Sequence, residues 1–139
     1  MTYALAEPLQ MAVFSALTTD ATLTGLVGTD IYDAPLPADG SVAPANYVLI
    51  GAEQASNGAT KDVHGAVHDL NIVVHSNDDG FSTSKKIAGA ICDVLLDAQL
   101  PMNRGRIVYL RFLKARADAG KPPARRTISL KFRARVEDN

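Results

Sequence analysis

Residues 127–136 alternate without a break. Ile128, Leu130, Phe132, Ala134 and Val136 are apolar, and Thr127, Ser129, Lys131, Arg133 and Arg135 between them are polar or cationic. Successive side chains of a strand point to opposite faces, so this period of two specifies a strand with one face on a core and the other against solvent or a partner. A second β-type run, GRIVYLRFLKARAD, precedes it, and AGKPPA lies between them. Gly and Pro punctuate a turn, so the last third of the chain reads as a hairpin with strands of roughly ten residues. Its first strand is apolar on both faces from Ile107 to Leu113, with Arg111 the exception. That pattern predicts the more central strand of the two.

The hairpin also carries most of the positive charge. Residues 104–139 hold 11 Lys+Arg and 3 Asp+Glu, and residues 1–103 hold 3 and 12, so blocks of +8 and −9 sum to a net charge of −1. At 139 residues, 47% hydrophobic and 21% charged, the chain is expected to fold as one domain spanning 1–139 around one core. No apolar run approaches the ~20 residues that span a bilayer. The start, MTYALAEPLQM, lacks the basic and apolar regions of a signal peptide. Cys92 is the single cysteine, so no intrachain disulfide can form, as suits folding in a reducing cytoplasm.

Leu5, Leu9, Val13 and Ala16/Leu17 recur at helical spacing and predict a helix over 7–17, with Pro8 tolerated near its start. Thr18, Thr19 and Asp20 are cap types, so a short helix over 21–27 is expected, closed by Gly28. Ile31 and Tyr32 can form a short strand. Asp33 to Asn46 holds Pro35, Pro37 and Pro44 and reads as a surface loop. Tyr47–Ile50 enters a polar tip from Gln54 to Asp62, containing Asn57-Gly58 and Lys61. The chain returns over 63–75 with Ala66, His68, Leu70, Ile72 and Val74 inward. The turn Asn77-Asp78-Asp79-Gly80 precedes the main helix, expected over 81–98, whose apolar stripe is Phe81, Ile87/Ala88, Ile91, Val94/Leu95 and Ala98. Pro101 prevents continuation. The expected class is α+β: a four-stranded, mainly antiparallel sheet with helices packed on one face, two hairpins flanking the main helix.

Chemistry-bearing residues are few. His64 and His68 would lie about 13 Å apart along a strand, too far to ligate one ion, so exposed or interface histidines are expected and no metal. Cys92 has no activating signature around it and reads as a packed thiol. Gly51, Gly58, Gly65 and Gly80 are isolated and form no phosphate loop. No catalytic constellation and no cofactor are expected. Three readings remain for the basic hairpin: a solvated face, a nucleic-acid surface short of aromatic stacking partners, or a head-to-tail contact between basic and acidic blocks of two copies. The residues singled out for an interface or a lumen are Arg111, Lys114, Arg116, Arg125, Lys131, Arg133 and Arg135.

The chain resembles the tail-terminator (tail-completion) family of long-tailed phages and gene transfer agents, most closely the gene-transfer-agent branch. The carriers are YALAEPLQMAVFSAL, LVGTDIYDAPLP, YVLIG, HDLNIVVHSNDDGFSTSKKIAGAICDVLLDA, GRIVYLRFLKARA and RRTISLKFRARVED, in that order. The resemblance implies a structural protein that forms a hexameric ring at the head-proximal end of the tail tube. Such a ring ends tube polymerisation and joins the tail to neck and head-closure (stopper) proteins. DNA passes through it without sequence-specific binding. It implies assembly in the bacterial cytoplasm, a place in the phage or gene transfer agent particle, and no membrane. On the same basis Pro35, Pro37, Asn57, Gly58 and Lys61 are expected in partner-contacting loops. The alternatives are another neck protein (adaptor or head-closure) and a nucleic-acid-binding module.

Overall fold

The computed structural model describes residues 3–34, 36, 43–57, 65–78, 80–96, 98–119 and 126–138. Among them the element order is α1 (Ala6–Thr19), α2 (Ala21–Val27), β1 (Ile31–Tyr32), β2 (Asn46–Asn57), β3 (Gly65–Ser76), α3 (Ser82–Leu95), β4 (Arg106–Asp118) and β5 (Arg126–Glu137). α2 begins and ends where local chemistry dictates. Asp20 caps α2 by accepting the Leu23 N–H at 2.9 Å, and Gly28 closes it at φ 63°. Leu9, Val13 and Leu17 of α1, with Leu5 just before it, and Ile87, Ile91 and Leu95 of α3 are buried as spaced. α3 stops at Leu95, short of Ala98, because Leu96 turns to extended backbone.

The sheet has five strands in the order β1-β2-β3-β5-β4, which corrects the expected four. The fifth is β1, parallel to β2 through Ile31↔Val48 and Tyr32↔Leu49. Two residues carry too little periodicity to count in sequence, and their pairing partner lies beyond the proline-rich segment. All other neighbours are antiparallel. β2 runs on to Asn57, so Gln54–Asn57 belongs to the strand rather than to the hairpin tip. β3 and β5 pair without a shift from Gly65↔Glu137 to Ser76↔Arg126. Their even-numbered residues, from Ala66 to Val74 and from Ile128 to Val136, are buried and join the helix stripes in one core.

The second correction concerns β4. It is an edge strand, and β5 is the internal one. Two bulges explain why its sequence looks apolar on both faces. The register shifts between Ile107 and Tyr109 and again between Phe112 and Lys114, so Val108 and Leu113 are extra residues. The alternation restarts after each. Ile107, Leu110, Phe112, Ala115 and Ala117 sit opposite buried residues of β5, and Tyr109, Arg111, Lys114 and Arg116 take the other face. From Arg111 onward every described residue of the strand is exposed.

Gly105 sets the start of β4. It adopts φ +72°, and a Cβ there would lie 2.7 Å from the Glu137 carbonyl oxygen and 2.9 Å from Leu5 Cδ2. The end of β5, the residue before α1 and the start of β4 close onto one another at this point.

Candidate functional site

The outer face of the β4–β5 ribbon gathers the cations. On β5 the outward row is Lys131, Arg133 and Arg135, and the bulges place Tyr109, Arg111, Lys114 and Arg116 beside it. Arg111 faces Arg133, and Lys114 faces Lys131. Like charges directly opposite on a sheet destabilise it, so folding alone gives no reason for this pairing. It is the arrangement expected where a surface serves an anionic partner.

The cations are not equivalent. Arg133 is clamped by Asp69 of β3, with Nε at 2.8 Å and Nη2 at 3.1 Å from the two carboxylate oxygens. The bond to Arg133 holds the Asp69 carboxyl below the usual carboxylate range, with Lys131 adding to the pull. Arg135 reaches Glu137 at 3.4 Å, and Glu137 also pairs with Arg106 at 2.7 Å. Arg111 lies over the Tyr109 ring, its guanidinium carbon 3.9 Å from the centroid, and the residue is exposed to solvent. Arg116 has one long contact to Asp118, at 3.8 Å, with both side chains well exposed. Among the described residues Lys114 makes no ion pair. The free positive charge therefore sits toward the β4 edge, at Arg111, Lys114 and Arg116. On β5 two of the three outward cations are neutralised within the chain. Arg125, Pro35, Pro37, Gly58 and Lys61 lie outside the described residues, and Asn57 is the last residue of β2.

The histidines correct another expectation. His68 is fully buried, neither exposed nor at a surface. Its Nδ1 pairs with Glu53 Oε2 at 3.0 Å, Glu53 Oε1 accepts the Tyr3 hydroxyl, and the Tyr3 ring stacks on the imidazole with centroids 6.0 Å apart. The register shift between Ile50 and Glu53 is what delivers Glu53 to this position. His75 stacks on Tyr47 with centroids 4.5 Å apart, and His64 lies outside the described residues. Among the described residues no group of three or more His, Cys, Asp or Glu could hold a metal ion. Cys92 is partly buried against the core, and burial, with Asp93 beside it, pushes its thiol above the ordinary value. Among the described residues no helix is long and apolar enough to cross a membrane.

Two further features were not legible in the sequence. Tyr109, the aromatic seat for Arg111, is hidden in an apolar run. Tyr3, Met11 and Phe14 line a groove discussed below.

The family model described as "Tail completion protein gp17" matches residues 11–137. The chain belongs to the tail completion protein gp17 family. It is therefore a structural protein of the tail. A solved chain from the virion of a native gene transfer agent particle is 43% identical, with TM-score 0.87 over 98% of this chain and 99% of that one. No curated protein sequence matches.

Proposed function

We propose that this tail completion protein acts as a tail terminator: a homo-oligomeric, hexameric ring at the head-proximal end of the tail tube that ends tube polymerisation and joins the tail to the neck. The observation that carries the reading is the end-to-end likeness, at 43% identity, to a chain of a native gene transfer agent particle. On this reading the chain resides in the tail or neck of a phage or gene transfer agent particle. It meets the tube protein on one side and a head-closure protein on the other.

The geometry supports a ring in two ways. The sheet ends in two different edges, β1/β2 and β4, and a contact between unlike edges is heterologous, the kind that closes into rings. The cations gather toward one of those edges, and the remaining chain is acidic. Arg111, Lys114 and Arg116 are the interface cations in this scheme. Lys131, further from the edge, is the cation left for passing DNA in the same scheme, since Arg133 and Arg135 are paired with Asp69 and Glu137. Pro35, Pro37, Gly58 and Lys61, with the end of β2 at Asn57, would meet the tube and neck proteins.

Deleting the coding sequence from a producing strain tests this. Electron microscopy should show tails of uncontrolled length or tails unattached to heads. Normal-length tails on full heads would overturn it.

A further inference from the structure

β1 covers β2 only at Val48 and Leu49, so among the described residues β2 from Ile50 to Ser56 has no strand partner on that side. Beside this free edge lies a groove of about 380 Å³ lined by Tyr3, Glu7, Met11, Phe14, Asp33 and Glu53. Two of its members are open, Tyr3 60% and Met11 49% exposed, and Phe14 is partly buried against the core. Its rim is acidic. At the opposite edge of the same sheet, β4 exposes Phe112 (42%) and Leu113 (39%), with Arg111, Lys114 and Arg116 on the outer face of the strand. Isolated exposed apolar residues are ordinary. Apolar residues with cations on the outer face of the same strand at one edge, and an apolar groove with carboxylates on its rim at the other, form a matched pair.

We infer that the groove between α1 and the free edge of β2 receives the β4 edge of a second copy of this chain, Phe112 and Leu113 entering it while Lys114 and Arg116 reach Glu7 and Asp33. Three observations converge on that occupant. The charges are complementary. Phe112 belongs to the inward, helix-side row of its strand, and the groove is walled by α1, so a neighbouring strand laid along β2 brings the two to the same side of the joined sheet. Finally, the bulge at Leu113 pushes one apolar residue out of the alternation at the place where the edge is otherwise cationic. Long Lys and Arg stems carry their charge around the strand edge to the acidic rim. The inference rests on the ring reading and adds which surfaces of the two subunits meet.

Cysteine trapping in whole particles separates the two. In a Cys92→Ala background, Met11→Cys and Leu113→Cys are introduced into the full chain singly and together, and purified particles are oxidised. Both positions are exposed, so the variants should fold. The double variant should give a ladder of cross-linked multimers on a non-reducing gel, and each single variant should remain monomeric. A double variant that stays monomeric in particles carrying a ring of this chain overturns the inference and leaves the ring intact. Cross-linking by Leu113→Cys alone also overturns it, because like edges would then meet. Particles with no more than one copy of the chain per tail overturn the ring reading itself. Charge reversal gives an independent check. Glu7→Lys with Asp33→Lys should reduce incorporation into particles about tenfold or more. Adding Lys114→Glu and Arg116→Glu to the same chain should restore it, and failure of that rescue in a folded variant overturns the inference.

Discussion

At the scale of single residues, the buried network of Tyr3, Glu53 and His68 is the feature most dependent on its partners. Among the described residues His68 Nε2 is buried with no hydrogen-bond partner, and Glu53 supplies the ring's one polar contact. Removing it strands a fully buried imidazole, and an unsatisfied buried group costs about 1–3 kcal/mol. Glu53→Ala should lower stability by that amount in urea denaturation, whereas Glu7→Ala on the exposed surface of α1 should leave it nearly unchanged. Asp69 behaves differently because it is closer to solvent. Its carboxyl is held below the ordinary value in the folded chain by Arg133, so its contribution is present above the unfolded value, about 3.9, and is lost as pH falls through the lower folded value. Asp69→Asn should therefore melt below the parent at pH 7, and the two melting curves should converge near the acid end of the range. A constant difference at all pH values would show that the ion pair is not its source.

At the scale of elements, β4 is the informative strand. Its bulges convert a continuous apolar run into an edge with cations on one face and a protruding Leu113. Edges left open in this way invite pairing, and natural edges are commonly blunted by charge. Here the charges are placed at a cost: Lys114 faces Lys131 across the ladder. A like-charge pair directly opposite costs roughly 0.2–1 kcal/mol, and an opposite-charge pair contributes a similar amount. Lys114→Glu should thus raise the melting temperature of the isolated chain slightly at low salt while reducing its incorporation into particles. A variant that assembles normally would remove Lys114 from the interface. How far such an element can be read ahead is also clear from this strand. The alternation of β5 was legible because every residue follows one period. The inward row of β3 was legible too, His68 included, although its burial was not expected. The edge position of β4 was hidden, because a bulge has no signature in composition and resets the period without changing it.

At the scale of the whole molecule, the two sheet edges differ in sign, in covering and in neighbouring helices, which is what a head-to-tail assembly needs. The fold that separates them depends on a few points of closure. Gly105 is one, where Leu5, Glu137 and the start of β4 meet. Its positive φ and the absence of room for a Cβ act together. Gly105→Ala should cost about 3 kcal/mol, read as a lower urea midpoint. Gly89, on the exposed side of α3 with open space around it, is the control, and Gly89→Ala should be neutral or stabilising.

The amino-acid order alone determined the local elements: the cap of α2, the stripes of α1 and α3, and the alternating strand that carries Lys131, Arg133 and Arg135. It also determined the division of charge between the two parts of the chain. Each of these depends on spacing between near neighbours. Only the tertiary structure decided that β1 joins the sheet, that β4 is its edge, and that Asp69 and Glu137 neutralise two of the arginines. It also decided that Glu53 and Tyr3 close over His68. Those outcomes are set by pairing register between distant segments, and a one-residue shift at a bulge moves a side chain from one face of the sheet to the other.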